Sequence, residues 1–180
     1  MRVIAGIARG VPLAAPRGHG TRPITDRVKE TLFFILGDLV PEARVVDLYA
    51  GSGAIGIEAL SRGATSADFV ERERAALAII RSNLERTHLE TDARVHGRDV
   101  ERYLGSASDG PWDLAIFDPP YEVRAMVAPL RALVPHLVPG ASVVIKHFWR
   151  TELPEIDALT MTRQRRFGET MLTFLAMEEA

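Results

Sequence analysis

The sequence predicts an α/β fold: a doubly wound, mostly parallel sheet with helices packed on it. Three observations lead there. Short apolar runs alternate with segments of helical period, a glycine-rich turn joins the first major run to a helix, and polar residues stand at the carboxyl ends of the runs.

Each element follows in chain order. Val3-Ile4-Ala5-Gly6 and Val11-Pro12-Leu13 read as a short hairpin across Ala8-Arg9-Gly10. Arg17-Gly18-His19-Gly20-Thr21-Arg22-Pro23 reads as a mobile loop, because glycine supplies freedom and Pro23 fixes the exit. Residues 1–24 therefore form a distinct segment. Thr25 or Asp26 caps a helix whose Val28, Leu32, Ile35 and Leu36 share one face, expected to cover the sheet. Arg44 to Ala50 is a buried strand, Gly51-Ser52-Gly53-Ala54-Ile55-Gly56 a turn, and Ile57 to Arg62 a helix stopped by Gly63.

A second strand, Ala67 to Val70, ends at Glu71, and a helix from about Arg74 to Thr87 turns Leu77, Ile79, Ile80 and Leu84 inward. Ala93 to Gly97 is a weak third strand, ending near Asp99, and Trp112 to Phe117 is the fourth. A helix around Val123 to Val134 precedes a fifth strand, Ala141 to Ile145. The tail pairs Leu159 to Arg166 with Met171 to Met177, antiparallel around Phe167-Gly168-Glu169. Ligands of such a sheet bind at the carboxyl ends of its strands.

Composition narrows the chemistry. At 180 residues the chain suffices for one such domain and is too short for two. It has no uninterrupted apolar stretch of membrane length and no signal-peptide h-region, so a cytoplasmic protein is expected. The absence of cysteine excludes disulfides, thiolate metal sites and the thiolate attack used to methylate pyrimidine ring carbons. The five histidines show no metal-ligand spacing, and no metal is expected. They read as surface or helix-end residues, and Trp112 and Trp149 as packing groups.

Net charge is −2, yet Arg2, Arg9, Arg17, Arg22, Arg27 and Lys29 crowd the first thirty residues against Asp26 and Glu30 alone. Arg163, Arg165 and Arg166 form a second cluster. A basic arm rich in glycine and proline suits contact with nucleic-acid phosphates; the alternative is ordinary solvated charge.

Two motifs carry chemistry. Asp118-Pro119-Pro120-Tyr121 follows the fourth strand. The prolines fix φ and offer no N–H, leaving carbonyls free to accept hydrogen bonds, and Tyr121 offers a stacking surface. Acceptors that grip an exocyclic amine beside an aromatic ring suit methyl transfer to a nucleobase amino group. A plain strand-ending turn is the alternative.

The second motif is the strand, glycine turn and helix at residues 44–62, where Gly51, Ser52 and Gly53 let a ligand approach the backbone. Glu71, about 20 residues on, is placed to bind ribose hydroxyls; a surface acid paired with Arg72 or Arg74 is the alternative. That pattern serves NAD and S-adenosylmethionine alike. Asp47, inside the first strand, is placed to receive the cationic amino acid end of S-adenosylmethionine through the turn. A nicotinamide enzyme has no evident use for the Asp118 motif, so S-adenosylmethionine is the expected cofactor.

With these residues in place, the chain resembles the bacterial 16S ribosomal RNA (guanine-N2) methyltransferases named for guanine 966. The resemblance runs from Ile4-Ala5-Gly6, Arg9-Gly10 and Leu13 through Thr21-Arg22-Pro23 and Thr25-Asp26-Arg27-Val28-Lys29-Glu30-Thr31-Leu32-Phe33. It continues through Asp47 to Ala64, Asp118 to Tyr121 and Gly168-Glu169-Thr170. It implies a seven-stranded, Rossmann-like sheet with a small N-terminal hairpin and helix extension. Residues 1–24 would be an RNA-contacting extension and 25–180 the methyltransferase domain.

The resemblance also implies site roles. Asp47, Gly51, Ser52, Gly53, Glu71 and Asp99 would line S-adenosylmethionine, with Asp99 near the adenine; Asp99 also reads as a helix N-cap. Asp118, Pro119, Pro120 and Tyr121 would carry the reaction. Arg9, Arg22, Pro23, Thr25 and Arg27 would meet 16S ribosomal RNA, within the small subunit or an assembly intermediate, the enzyme acting as a monomer without membrane contact. Three departures stand out: Ile24 for a common threonine, Tyr49 for phenylalanine, and Lys146-His147 where an acidic residue is expected. The rival readings are a DNA adenine or cytosine amino-methyltransferase, a non-catalytic RNA-binding assembly factor, and an NAD-dependent oxidoreductase.

Overall fold

Strands with apolar side chains on both faces must be covered on both faces. The computed structural model describes residues 1–15, 24–106, 109–119 and 124–179, the side chains of 124 and 125 excepted. Among these residues seven strands, β1 (Arg44–Leu48), β2 (Ser66–Glu71), β3 (Ala93–Gly97), β4 (Trp112–Phe117), β5 (Leu137–Phe148), β6 (Leu159–Phe167) and β7 (Thr170–Met177), form one sheet. Its order is β3-β2-β1-β4-β5-β7-β6. The first five strands are parallel; β7 runs antiparallel between β5 and the edge strand β6. Among the described residues five α-helices complete the fold: α1 (Asp26–Leu36), α2 (Ala54–Ser61), α3 (Arg74–Thr87), α4 (Val100–Leu104) and α5 (Arg124–Leu133).

The alternation of side chains along the strands sorts the core into two layers. Val45, Leu114, Ile116 and Val144 pack with buried residues of α1, α2 and α3, whereas Val46, Leu48, Ala115, Phe117, Val143 and Ile145 pack with α4 and α5. The chain runs outward from β1 to β3 and then returns to β4 on the other side of β1, so the order reverses between β1 and β4. That reversal opens a crevice at the carboxyl edge. Among the described residues no helix is long and apolar enough to cross a membrane.

Several elements differ from the sequence reading for identifiable reasons. β1 stops at Leu48 because Tyr49 adopts φ 62, a left-handed turn into the glycines. β5 starts early: Leu137 pairs with Trp112 ahead of the irregularity at Pro139-Gly140, which by itself reads as a turn. On α1, Phe33 and Lys29 are buried while Ile35 is half-buried, and on α3 Ile79 is half-buried. The Asp99 side chain starts the short helix α4, which the periodicity did not reveal.

The N-terminal segment does form a tight reversal, with Val3 N–H donating to Val11 O (3.0 Å) and Gly10 N–H to Val3 O (2.9 Å). It shares one core with the sheet through Val3, Ala8 and Leu13. Its anchor is Glu58 on α2, fully buried, which accepts from Ile4 N (2.8 Å), Ala5 N (3.0 Å) and Arg62 Nε (2.8 Å). Lys29 Nζ lies 3.2 Å from the same carboxylate and donates to Arg2 O. Burial lowers the Lys29 pKa, and Glu58 opposes that shift.

Lys29 thus leaves the basic arm: its charge is spent inside the protein, not offered to nucleic acid. Removing one member of a buried ionic network strands the others. Glu58→Ala is expected to cost roughly 3–5 kcal/mol, read as a lower urea midpoint, and to expose the first fifteen residues to proteolysis.

Candidate active site

Strand register builds the site. β1 and β2 pair Asp47 with Phe69, β1 and β4 pair Asp47 with Ile116, and β4 and β5 pair Phe117 with Ile145. With a side-chain period of two, Glu71, Asp47, Asp118 and Lys146 then project from one face at the carboxyl ends of four strands. Asp118 N–H donates to Leu48 O at 3.3 Å, which sets the start of the Asp-Pro-Pro-Tyr motif against the strand that enters the glycine turn.

The turn is built by left-handed glycines, Gly51 at φ 56 and Gly53 at φ 73. A Cβ on Gly51 would meet nothing nearer than Tyr49 O at 4.0 Å, so the space above the turn is open, whereas one on Gly56 would collide with the Phe69 ring. Asp47 is 2 % exposed, and its Oδ2 accepts from Gly56 N at 3.0 Å, a carboxyl against the first turn of α2. Desolvation lifts its pKa to about 8, opposed by the Gly56 hydrogen bond and reinforced by Asp118 and Glu71.

Glu71 ties the end of β2 to the turn. Oε2 accepts from Gly51 N (2.9 Å), while Oε1 accepts from Arg72 N (2.8 Å) and Glu73 N (2.9 Å). Its partners are thus backbone donors, not the arginine side chains. Arg72 reaches instead to Glu73 and, at 3.9 Å, to Asp99. Asp99 caps α4 through Glu101 N and Arg102 N.

Asn83, which the sequence reading did not single out, is fully buried on α3 and clamps the turn. Nδ2 donates to Ser52 O (2.9 Å) and Ala14 O (3.0 Å), and Oδ1 accepts from Ala14 N (2.8 Å). It therefore joins the N-terminal segment to the glycine turn. Asn83→Ala should cost about 2–3 kcal/mol by stranding these groups and weaken cofactor binding. Calorimetric titration with S-adenosylmethionine, alongside thermal melting, checks both.

The largest departure is at Lys146. Its ammonium donates to Asp118 Oδ1 (2.8 Å) and Oδ2 (2.7 Å), with side chains 10 % and 30 % exposed respectively. Desolvation raises the Asp118 pKa, and Lys146 opposes the rise. Lys146 also lines a cavity of about 580 Å³ between the start of α1 and the β6–β7 turn, with Thr25, Arg27, Arg166 and Glu169 in its walls.

Of the expected substrate-side residues, Thr25 caps α1 through Val28 N (3.3 Å) and, like Arg27, faces this cavity. Arg9 is elsewhere: its neighbours Ile7 and Ala8 bond to Ser61, at the end of α2 opposite the glycine turn. Arg22, Pro23, Pro120 and Tyr121, with the loop at 17–23, lie outside the described residues. Pro119 is buried beside Asp118.

Of the C-terminal cluster, Arg163 and Arg165 are exposed on the edge strand, where charge discourages pairing with other chains. Arg166 lies over the Trp149 ring at 3.7 Å. Trp112 is a packing group, fully buried and bonded to Asp68 (2.9 Å). His147 corrects the surface reading: it is 4 % exposed and bonded to Thr173 Oγ1 at 2.8 Å. Asp68, His96 and Asp109 approach one another, but Trp112 and Tyr103 already engage the two carboxylates.

The family model described as "Conserved hypothetical protein 95" matches residues 1–176. The chain belongs to this family. It is 40% identical over 175 residues to the "Putative rRNA methyltransferase YlbH" of Bacillus subtilis, covering 94% of this chain and 95% of that protein. Over 121 residues it is 40% identical to "Ribosomal RNA small subunit methyltransferase D" of Escherichia coli K12, covering 67% and 60% of the two chains.

Among solved structures, the "Putative methyltransferase yhhF" of Escherichia coli superposes with a TM-score of 0.87 at 30% identity, covering 100% of this chain and 99% of that one. The family resemblance read from the N-terminal arm and glycine turn is therefore correct, as is the seven-stranded α/β fold. The methyltransferase names of these relatives accord with the S-adenosylmethionine cofactor read from the same turn.

Proposed function

We propose that the protein transfers the methyl group of S-adenosylmethionine to the exocyclic N2 amine of a guanine in 16S ribosomal RNA. The observation that carries this is the juxtaposition of Asp47 under an open glycine turn with Asp118 just past the end of the neighbouring strand, beside a cavity bearing Arg27 and Arg166. The donor set suits the cofactor: a buried carboxylate for a cationic amino group, open space over Gly51 for a close backbone approach, and Glu71 for ribose hydroxyls. S-adenosylmethionine supplies an electrophilic methyl on a sulfonium that leaves as a neutral thioether.

The protein's own task is positioning. The guanine amine is a weak nucleophile because its lone pair is delocalised into the ring. Hydrogen bonds from its N–H groups to the Asp118 carboxylate and the Pro119 carbonyl favour a pyramidal nitrogen in line with the methyl. As the C–N bond forms and the C–S bond breaks, the nitrogen sheds one proton to Asp118 or to water. Tyr121 stacks on the extruded base. Residues 1–24 act as the RNA-contacting extension of the domain at 25–180, and a monomer works on the small subunit or an assembly intermediate.

The test is transfer of radiolabelled methyl to small subunits from cells lacking this protein, with naked ribosomal RNA and genomic DNA alongside and digestion to nucleosides. N2-methylguanosine in the subunit RNA is the expected product. Label on DNA bases would move the assignment to a DNA amino-methyltransferase, and no label on any of the three would refute the reading.

A further inference from the structure

Asp118 sits where two requirements conflict. As an acceptor for an amine it must be ionised, because a protonated carboxyl presents a donor to a donor. Yet desolvation at the strand end pushes it toward the neutral form. Among the described residues, the side-chain cation bonded to it is Lys146, at 2.8 and 2.7 Å on its two oxygens. Lys146 is itself 9 % exposed and lies in the cavity wall. One ammonium on both oxygens leaves each a further lone pair, so an amine can bond to Asp118 without displacing the lysine.

The other charged groups around this pair are Asp47 on β1, within electrostatic reach of Asp118, and Arg27 on α1, Arg166 on β6 and Glu169 in the β6–β7 turn, which share the cavity wall with Lys146. Asp47, on the adjacent strand β1, keeps its proton up to about pH 8, and the group that opposes the raised pKa of Asp118 is Lys146.

We infer that Lys146 is a positioning residue for the transfer step: it holds the Asp118 carboxylate in one orientation and one charge state, and acts on the substrate amine through it. The inference rests on the functional reading above and adds a residue to it. The position read from the sequence as an anomaly is thereby part of the site.

Lys146→Met removes the charge at similar volume, and Lys146→Arg restores it. Two measurements on the full chain decide. The first is the titration of the Asp118 carboxyl by carbon-13 NMR in the free protein, assigned with Asp118→Asn. It should move up by at least about one pH unit in Lys146→Met and return toward wild type in Lys146→Arg. The second is the single-turnover rate against pH on small-subunit RNA. Its acid limb should move upward with the carboxyl, the rate at pH 7 falling about tenfold or more, while the S-adenosylmethionine Kd stays within about threefold.

An unmoved carboxyl titration overturns the inference, as does a rate loss equal at all pH values that arginine does not rescue. If the wild-type protein labels no RNA, the functional reading fails, and the carboxyl titration still decides the role of Lys146.

Discussion

Asp118→Asn is expected to reduce methyl transfer by roughly 10²- to 10⁴-fold while the S-adenosylmethionine Kd stays within a few-fold. The substitution keeps the shape but replaces one acceptor oxygen with a donor, so the amine meets an N–H where it needs a lone pair. It also removes the partner of Lys146, bonded at 2.7 Å, and a modest fall in melting temperature should accompany it. Asparagine is a better probe than alanine because it leaves less space beside the ammonium. Single-turnover rates with calorimetric cofactor titration separate the two effects. Equal losses in rate and cofactor affinity would place Asp118 on the cofactor side instead.

The second large effect belongs to Asp47, and it has opposite signs in stability and binding. Its folded-state pKa is raised to about 8 from an ordinary 3.8. Between those values the unfolded chain has released a proton that the folded chain keeps, so stability falls as pH rises through the window. Asp47→Asn retains an oxygen to accept from Gly56 N and removes the buried charge. The free protein should therefore melt about 5–10 °C higher at pH 8, with little change at pH 4.

Cofactor binding should move the other way. A cationic ligand prefers the ionised carboxylate, so wild-type affinity should climb with pH by up to about tenfold per unit below pH 8 and then level off. Binding below that pH should release a proton, visible as a heat that depends on the buffer. Asp47→Asn should lower affinity about tenfold to a hundredfold and flatten the profile. An unchanged Kd and profile would reduce Asp47 to an anchor for α2.

The half of the candidate site built on the glycine turn was legible because its parts are close in sequence and locally determined. The run Asp47 to Gly56 is strand, turn and helix in succession, and glycine is required where φ is 56 and 73. Glu71 was legible in position though not in its partners, since the bond that Gly51 N donates to it follows from folding. The half around the cavity was less legible. Thr25 and Arg27 reach the cavity, yet Arg9, equally basic and on the same arm, is carried to the far end of α2 by Ser61. Lys29 reads as one more arm cation and instead becomes the buried partner of Glu58.

By itself the sequence determined the alternation of strands and helices, the glycine turn and its acids, the Asp118 motif and the family. Those rest on apolar period and on short-range backbone chemistry, which a linear pattern carries. Only the tertiary structure decided which charges meet. Lys146 reaches Asp118 across 28 positions, and Asn83 reaches Ala14 across 69. The first depends on strand register, where a shift of one residue would turn the side chain to the opposite face of the sheet, and the second on the placement of α3. Charge and hydrogen-bonding capacity are properties of a residue, but their use is a property of its neighbours.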